Sequence, residues 1–395
     1  MTGGTFDVRA FGAKGDGVTK DTAAIQRAID AAHAAGGGEV RLGAGTYLSG
    51  SIYLRSNVDF HLAAGATLRG SPDPADYNAP DVCPQNGVYR PESSFGAHLI
   101  LCIEQENVRV RGPGRIDGNS AVFLVDPATG RTWGYAPDVR WKGQGDIPWR
   151  PSQMLYFVES RGIRVEDAEL ADAPYWSLFL HGCEQVTIRG LHIHNERERF
   201  HTHNGDGIDI DCCRHVTVSD CRIDTADDCL TLRANGARLK HPGDCAFITV
   251  ANCDLSSSCN AVRLGVGTGA IHHAVLTGIT VHDTRTLISM VSSWNPDSTR
   301  GVDFRDIQFA NWSVDCRILL QIGPGPLADG VVRDAEMHDI LFSGFTGSAL
   351  EGGAIQGLPN HPATGLVLRD VQIPVAIDVE NADVRIEGGR INSRL

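Results

Sequence analysis

The chain is poor in large side chains: aromatic residues make up 7% of it, with six tryptophans and four methionines. Set against 45 glycines, that scarcity suits a turn-rich β architecture better than a helical bundle. Positive charge is also in deficit, 35 Lys and Arg against 48 Asp and Glu, for a formal net charge of −13. A field of that sign repels polyanions, so nucleic-acid binding would need a local basic patch. None is present; Arg197-Glu198-Arg199 carries its own neutraliser. No apolar run approaches the roughly 18 residues that span a bilayer, so no membrane partner is expected. The opening MTGGTFDVRAFGAKGDG has no basic segment followed by an apolar one. The sequence as it stands therefore reads as cytoplasmic, or as secreted or periplasmic if a leader has been removed. Disorder is excluded by 42% hydrophobic and only 21% charged residues.

The eleven cysteines show no zinc-ligand spacing, and an odd number cannot all pair. That points to a reducing compartment. Cys212 and Cys213 are adjacent, and Cys221, Cys229, Cys253 and Cys259 fall in neighbouring repeats, so they read as small buried apolar residues.

What the chain does have is internal repetition. From about Cys102 onward, alternating apolar runs recur in pairs around a short turn: ENVRVRGPGRIDG, RGIRVEDAELADA, EQVTIRGLHIHN, RHVTVSDCRIDT, AFITVANCDLSSS, HHAVLTGITVHDT, RGVDFRDIQFANW, DGVVRDAEMHDILFSG, TGLVLRDVQIP and ADVRIEGGRIN. A period of roughly 23–35 residues made of strand–turn–strand units without helices predicts a parallel β-helix. Ahead of it, Ala24, Ile25, Ala28, Ile29 and Ala32 fall on one helical face between Asp21 and Ala35. Asp21 or Thr22 serves as N-cap, and Gly36-Gly37-Gly38 stops the helix. Such a helix closes the open end of a solenoid. The glycines of GAKGDG and AGGGE match no phosphate-binding loop and read as turns.

Strands follow at Glu39–Leu42, Ser51–Leu54, Val58–Leu62 and Thr67–Leu68. Long loops are expected at about 73–91 and 119–151, the second holding Trp133, Trp141 and Trp149. Those rings serve either sugar stacking or loop packing. The expected organisation is one all-β domain over 1–395, a single right-handed parallel β-helix with an N-terminal capping helix. Its cap and first coils take 1–70, coils with long insertions 73–151, and regular coils 152–395.

The chemistry concentrates in HTHNGDGIDIDCCRHVTVSDCRIDTADDCLTLR, residues 201–233. Asp206 precedes Asp227-Asp228 by roughly twenty residues, about one coil of a solenoid. Stacked coils lie about 4.8 Å apart, which predicts three carboxylates in one small area. Like charges so placed resist joint ionisation, and at least one should keep its proton. A protonated carboxyl beside an ionised one is what hydrolysis of a glycosidic bond requires. A structural calcium site and a solvated acidic turn are the competing readings of the same residues.

HNGDGIDID resembles the HNTDGIDI motif of polygalacturonases in glycoside hydrolase family 28, and TADDCLTLRANG resembles that family's DD segment. FDVRAFGAKGDGVTKDTAAIQRAIDAA, VRLGAGTYLSGSIYLRSNV, GATLRGS and NVRVRGPGRIDGN resemble its N-terminal half, so the likeness runs through about Gly267. The resemblance implies Asp227 as general acid, with Asp206 and Asp228 activating the attacking water for inversion. Asn204 either orients Asp206 or a substrate hydroxyl, or simply makes the turn. Two departures stand out. The family's Gly-His-Gly falls at Cys259-Asn260-Ala261, so Asn260 replaces the histidine. Its Arg-Ile-Lys falls at Ile288-Ser289-Met290, without either cation, and those cations grip the galacturonate carboxylate in polygalacturonases. Rhamnogalacturonan-cleaving relatives also lack the histidine.

Arg233, at the family's usual lysine position, and Arg263, where the family has a small residue, are candidates to bind a carboxylate or to pair with a neighbouring aspartate. His201 and His203 flank the motif as candidate sugar contacts, and as an i, i+2 pair they lack a third metal ligand. Trp294 is a further candidate contact, whereas Trp176 reads as coil packing. The expected function is an inverting glycoside hydrolase acting on a pectin-type or related poly- or oligosaccharide in a cleft outside one sheet, with no cofactor and no metal. A calcium-dependent polysaccharide lyase and a non-catalytic glycan-binding solenoid are the alternatives on the same fold.

Overall fold

The structure, a computed structural model, describes residues 4–89, 92–130, 132, 147–195, 204–293, 300–325 and 333–394. The chain groups into two compact units. One holds the residues through Ile208 together with Thr225–Asp227, and the other holds Asp209–Asp224 and everything from Asp228 onward.

The first unit opens on strand Thr5–Asp7 and the helix Thr22–Ala34, whose buried residues are Ala24, Ile25, Ala28, Ile29 and Ala32, the face that the apolar spacing predicts. Asp21 stands at the N-cap, but its carboxylate makes no cap bond. It accepts instead from the backbone N–H groups of Lys14 (2.7 Å) and Gly15 (2.9 Å), tying the glycine-rich loop to the helix start. At the other end Gly36 and Gly37 take φ of +87° and +128°, and the Gly37 N–H returns to the Ala32 carbonyl at 2.9 Å. Only glycine adopts those angles without strain, so the helix ends there.

Beyond the helix the chain coils through columns of parallel strands. Thr5–Asp7, Gly38–Leu42, Val58–Leu62, Arg109–Arg111, Arg161–Glu166 and Glu184–Arg189 form one column. Asp16–Lys20, Gly45–Ser49, Ala66–Gly70, Arg115–Asp117, Glu169–Ala171 and His192–His194 form a second. A third contains Ile52–Tyr53, Ile100–Ile103, Leu155–Val158 and Leu178–His181. The alternating runs mark the first two columns. Of the third, only Ile52–Tyr53 falls in an expected strand, Ser51–Leu54, and strand Asp16–Lys20 inside the glycine-rich opening was not expected.

The second unit repeats the pattern. Its first column runs Arg214–Ser219, Cys245–Ala251, Ala270–Thr277, Asp303–Ala310, Met337–Ser343, Ala363–Arg369 and Ala382–Glu387. Here Val218, Val250, Leu276, Phe309, Phe342 and Leu368 stand in register with their side chains buried, and the Phe309 and Phe342 rings stack at 5.1 Å. A second column links Leu230–Ala234, Asn260–Gly267, Thr280–Val291, Ser313–Gly323, Thr346–Gln356, Ala376–Glu380 and Asn392–Arg394. The turn joining the two strands of each repeat is a left-handed residue: Asp220, Asn252, Gly278, Asn311, Gly344 and Asp370 all have φ between 51° and 65°. Asp, Asn and Gly tolerate that region best. In this all-β parallel β-helix one residue per coil therefore sets the bend.

All eleven cysteines are unbridged, and all but Cys83 and Cys259 are buried. Burial pushes the thiols of Cys102, Cys212 and Cys245 up, so they behave as small apolar core residues, as the sequence suggested. Trp149 packs against Tyr77 (5.5 Å), Phe123 (5.5 Å) and Phe95 (6.2 Å), closing the long loops onto each other. Trp133 and Trp141 lie outside the described residues. No helix among the described residues is long and apolar enough to cross a membrane.

Candidate active site

In the first unit the Asn204-Gly205-Asp206 turn is fixed by its backbone. Asn204 has φ of +49°. The Gly205 carbonyl accepts from Asn195 Nδ2 at 3.0 Å, and the Asp206 carbonyl accepts from the Ser177 N–H at 2.9 Å. Asn195 is itself held, donating to Ser177 Oγ at 2.9 Å and accepting from the Ala173 N–H at 2.9 Å. The turn is packed from the following coil as well: a Cβ placed on Gly205 would stand 3.5 Å from the Ala226 Cβ. Asp206 and Asp227 each come one residue after that close approach. Asp206 is 5% exposed and Asp227 half-buried. Thr225 Oγ1 donates to the Asp227 carbonyl at 2.8 Å and fixes the backbone of the aspartate pair's first member.

Arg150 is the residue of this turn that the sequence did not announce. Its guanidinium is wholly buried, lies 4.7 Å from the Tyr175 ring centroid, and donates to the Pro174 carbonyl (2.8 Å), the Ser93 carbonyl (3.3 Å), the Glu92 carbonyl and Asn204 Oδ1 (3.4 Å). Asn204 thus serves in the turn and as the acceptor of a buried cation. Trp176 is buried, stacked on Tyr175 at 4.9 Å and edge-on to Phe179 at 5.3 Å, a packing role.

In the second unit Asp228 is buried under two donors. Asn260 Nδ2 reaches its Oδ1 at 2.5 Å, and Arg263 NH1 lies 3.5 Å from its Oδ2. Arg285 extends the group, its NH2 lying 2.9 Å from Cys259 Sγ and 3.5 Å from Asn260 Oδ1. Strand register explains the meeting: Asn260 pairs with Thr286, so residue 285 stands beside residue 259. Ile288 and Met290 are fully buried apolar residues, so the cation of this coil is Arg285, outside the Ile288-Ser289-Met290 segment where the family motif was sought. With donors and guanidinium groups already around Asp228 and Cys259, those two groups suit hydrogen-bonded anchoring better than holding a cation.

Arg233 belongs to a separate pairing in the same unit. Its guanidinium is 3.3 Å from Asp211 Oδ2 and 3.7 Å from Asp209 Oδ1, and both carboxylates are buried. Arg233 thus makes the pairing with neighbouring aspartates. His201, His203 and Trp294 lie outside the described residues.

The Arg233 pairing makes a prediction about stability. Arg233→Met leaves two buried carboxylates without their guanidinium, and a denaturant titration should show a loss of about 3–5 kcal/mol. A loss under about 1 kcal/mol would mean that Asp209 and Asp211 do not depend on it.

Residues 89–241 match the Glycosyl hydrolases family 28 and residues 5–88 match Rhamnogalacturonase A/epimerase, pectate lyase-like. An exo-poly-alpha-D-galacturonosidase of Dickeya chrysanthemi is 28% identical over 297 residues, 67% of this chain and 48% of that protein. An endo-polygalacturonase of Pectobacterium parmentieri is 26% identical over 221 residues, 55% of this chain and 52% of that protein. The chain spans about half the length of each of these two relatives. Among solved structures, a hyperthermoactive exopolygalacturonase from Thermotoga maritima superposes with a TM-score of 0.78 at 21% identity, covering 98% of this chain and 92% of its own. The aspartate motifs and these matches make the chain similar to the polygalacturonases of glycoside hydrolase family 28 across residues 89–241, on a parallel β-helix fold that it shares with the Thermotoga maritima enzyme.

Proposed function

We propose that the protein is an inverting glycoside hydrolase of pectin-type poly- or oligosaccharides, with Asp227 as general acid and Asp206 and Asp228 as the pair that activates water. The observation that supports this reading is the approach of the Ala226 Cβ to within 3.5 Å of where a Cβ on Gly205 would stand, one residue before Asp227 and one residue before Asp206 respectively. Asp227 is the more exposed of the two, as a group that meets a glycosidic oxygen must be, whereas Asp206 sits in a turn anchored on both sides. In the reaction Asp227 gives its proton to the leaving oxygen as the bond to the anomeric carbon breaks. Water attacks that carbon from the opposite face and loses its proton to the second carboxylate. Inverting enzymes leave room for that water, with carboxyl groups roughly 6.5–9.5 Å apart.

A uronic-acid substrate is supported by Arg263 and Arg285, two guanidinium groups around Asp228 where a protein of net charge −13 would otherwise repel an acidic sugar. The names of the Dickeya and Pectobacterium relatives point to the same class. His201, His203 and Trp294 remain proposed sugar contacts on sequence grounds, and Asn204 and Asn260 are proposed to orient the carboxylates they adjoin.

The direct test is hydrolysis of oligogalacturonates with the first-formed anomer followed by NMR. Inversion is expected, and Asp227→Asn should lower kcat by about 10²–10⁴-fold while substrate binding persists. A retained anomer, or undiminished turnover in Asp227→Asn, would overturn the assignment. The substrate class has its own test. Arg285→Ala should raise KM for oligogalacturonates about ten- to a hundredfold, the loss of a charge-assisted contact, with kcat little changed. An unaltered KM would show that this cation does not meet the substrate.

A further inference from the structure

Arg150 is an expensive residue to bury. A guanidinium withdrawn from water costs several kcal/mol unless its donors are satisfied, and here the arrangement around it is specific. Three backbone carbonyls, those of Glu92, Ser93 and Pro174, take its N–H groups, and the Tyr175 ring lies under its plane. The Tyr175 hydroxyl donates to the Glu92 carboxylate, so the ring is held by the same loop that supplies two of the carbonyls. The remaining contact is to Asn204 Oδ1 in the turn that carries Asp206. A merely structural arginine could end on carbonyls; this one ends on the side chain two residues before a candidate catalytic carboxylate.

We propose that Arg150 is a positioning residue for the reaction, holding the Asn204 side chain and supplying the fixed positive charge against which the Asp206 carboxylate is set. The inference rests on Asp206 serving as a water-activating base. Burial pushes the guanidinium down to about 10, with Tyr175, Glu92 and Asp206 acting against that fall, so it is charged at neutral pH. Burial holds Tyr175 well above the ordinary phenol range, so it remains a neutral donor. Among the described residues of its unit, the charged and titratable groups around this turn include Arg150, Glu92 and Tyr175 from the loops, with Asp227 carried by the next coil. Arg150 is the cation of this group. An opposite charge close to a carboxylate favours its ionised form, the form that accepts a proton from water. The guanidinium fork adds orientation, because several N–H groups are committed to fixed carbonyls before Asn204 is reached.

The test compares Arg150→Met, Arg150→Lys and Asp206→Asn with the wild-type protein on oligogalacturonates, with pH profiles of kcat/KM. Arg150→Met should lose at least tenfold in kcat with KM within about threefold, and its acid limb should move up by about one pH unit. Arg150→Lys keeps the charge and loses the fork. It should therefore lose kcat while its acid limb stays within a few tenths of a unit of wild type. If Arg150→Met does not fold, Arg150→Lys decides: wild-type kcat there would overturn the proposal. An acid limb unmoved in folded Arg150→Met would also overturn it, since a packing role alone lowers activity without shifting a titration. Asp206→Asn separates this inference from the reading beneath it. An inactive Asp206→Asn with an unperturbed Arg150→Met rejects only the role of Arg150, whereas an active Asp206→Asn rejects the base itself.

Discussion

Parallel backbone hydrogen bonding between successive coils is the constraint on which the rest depends, because it turns a sequence offset of roughly twenty residues into contact. Within the first unit it brings Gly205 against Ala226, and within the second it lays Arg263 beside Thr231 and Ser289. A one-residue slip would exchange inward for outward side chains along a whole strand. The buried column from Val218 to Leu368 opposes such a slip, and so do the left-handed turns at Asp220, Asn252, Gly278, Asn311, Gly344 and Asp370. At Gly344 the stacking is close enough that a Cβ would meet Asn311 Oδ1 at 2.9 Å. The register that places the carboxylates is therefore held by apolar residues and turns with no part in the chemistry.

Charge is handled locally on this scaffold. An ionised aspartate withdrawn from water needs a donor or a cation, and the two units supply one at each buried acidic position of the motif region. Asp209 and Asp211 share Arg233, and Asp228 takes Asn260 and Arg263. Arg150 is turned toward Asn204, next to Asp206. Asn260 offers Asp228 an amide donor that does not titrate.

Much of this was legible in the sequence for physical reasons. Ala24, Ile25, Ala28, Ile29 and Ala32 show a 3.6-residue period because one face alone is covered, and runs such as RHVTVS alternate because one face of their strand is solvated. Leu155–Val158 and Leu178–His181 were not recognised as members of a strand column because every residue in them is buried. With both faces covered, period-2 alternation vanishes. Asp16–Lys20 fails for the opposite reason, being largely exposed. Of the site, Asp206 and Asp227 could be paired because their offset is one coil. Arg285 could have been found only from the register of Asn260 with Thr286. Arg150 left no periodic trace: it follows a long insertion, and most of its partners are backbone carbonyls, which any sequence provides.

The central claim is that Asp206 and Asp227, one coil apart along the chain, act in a single chemical step. A double-mutant cycle on kcat/KM with Asp206→Asn, Asp227→Asn and the combined variant tests it most directly. Groups that work as a unit lose their effect together, so the combined variant should be about as slow as the slower single one. Losses that simply multiply would contradict the account.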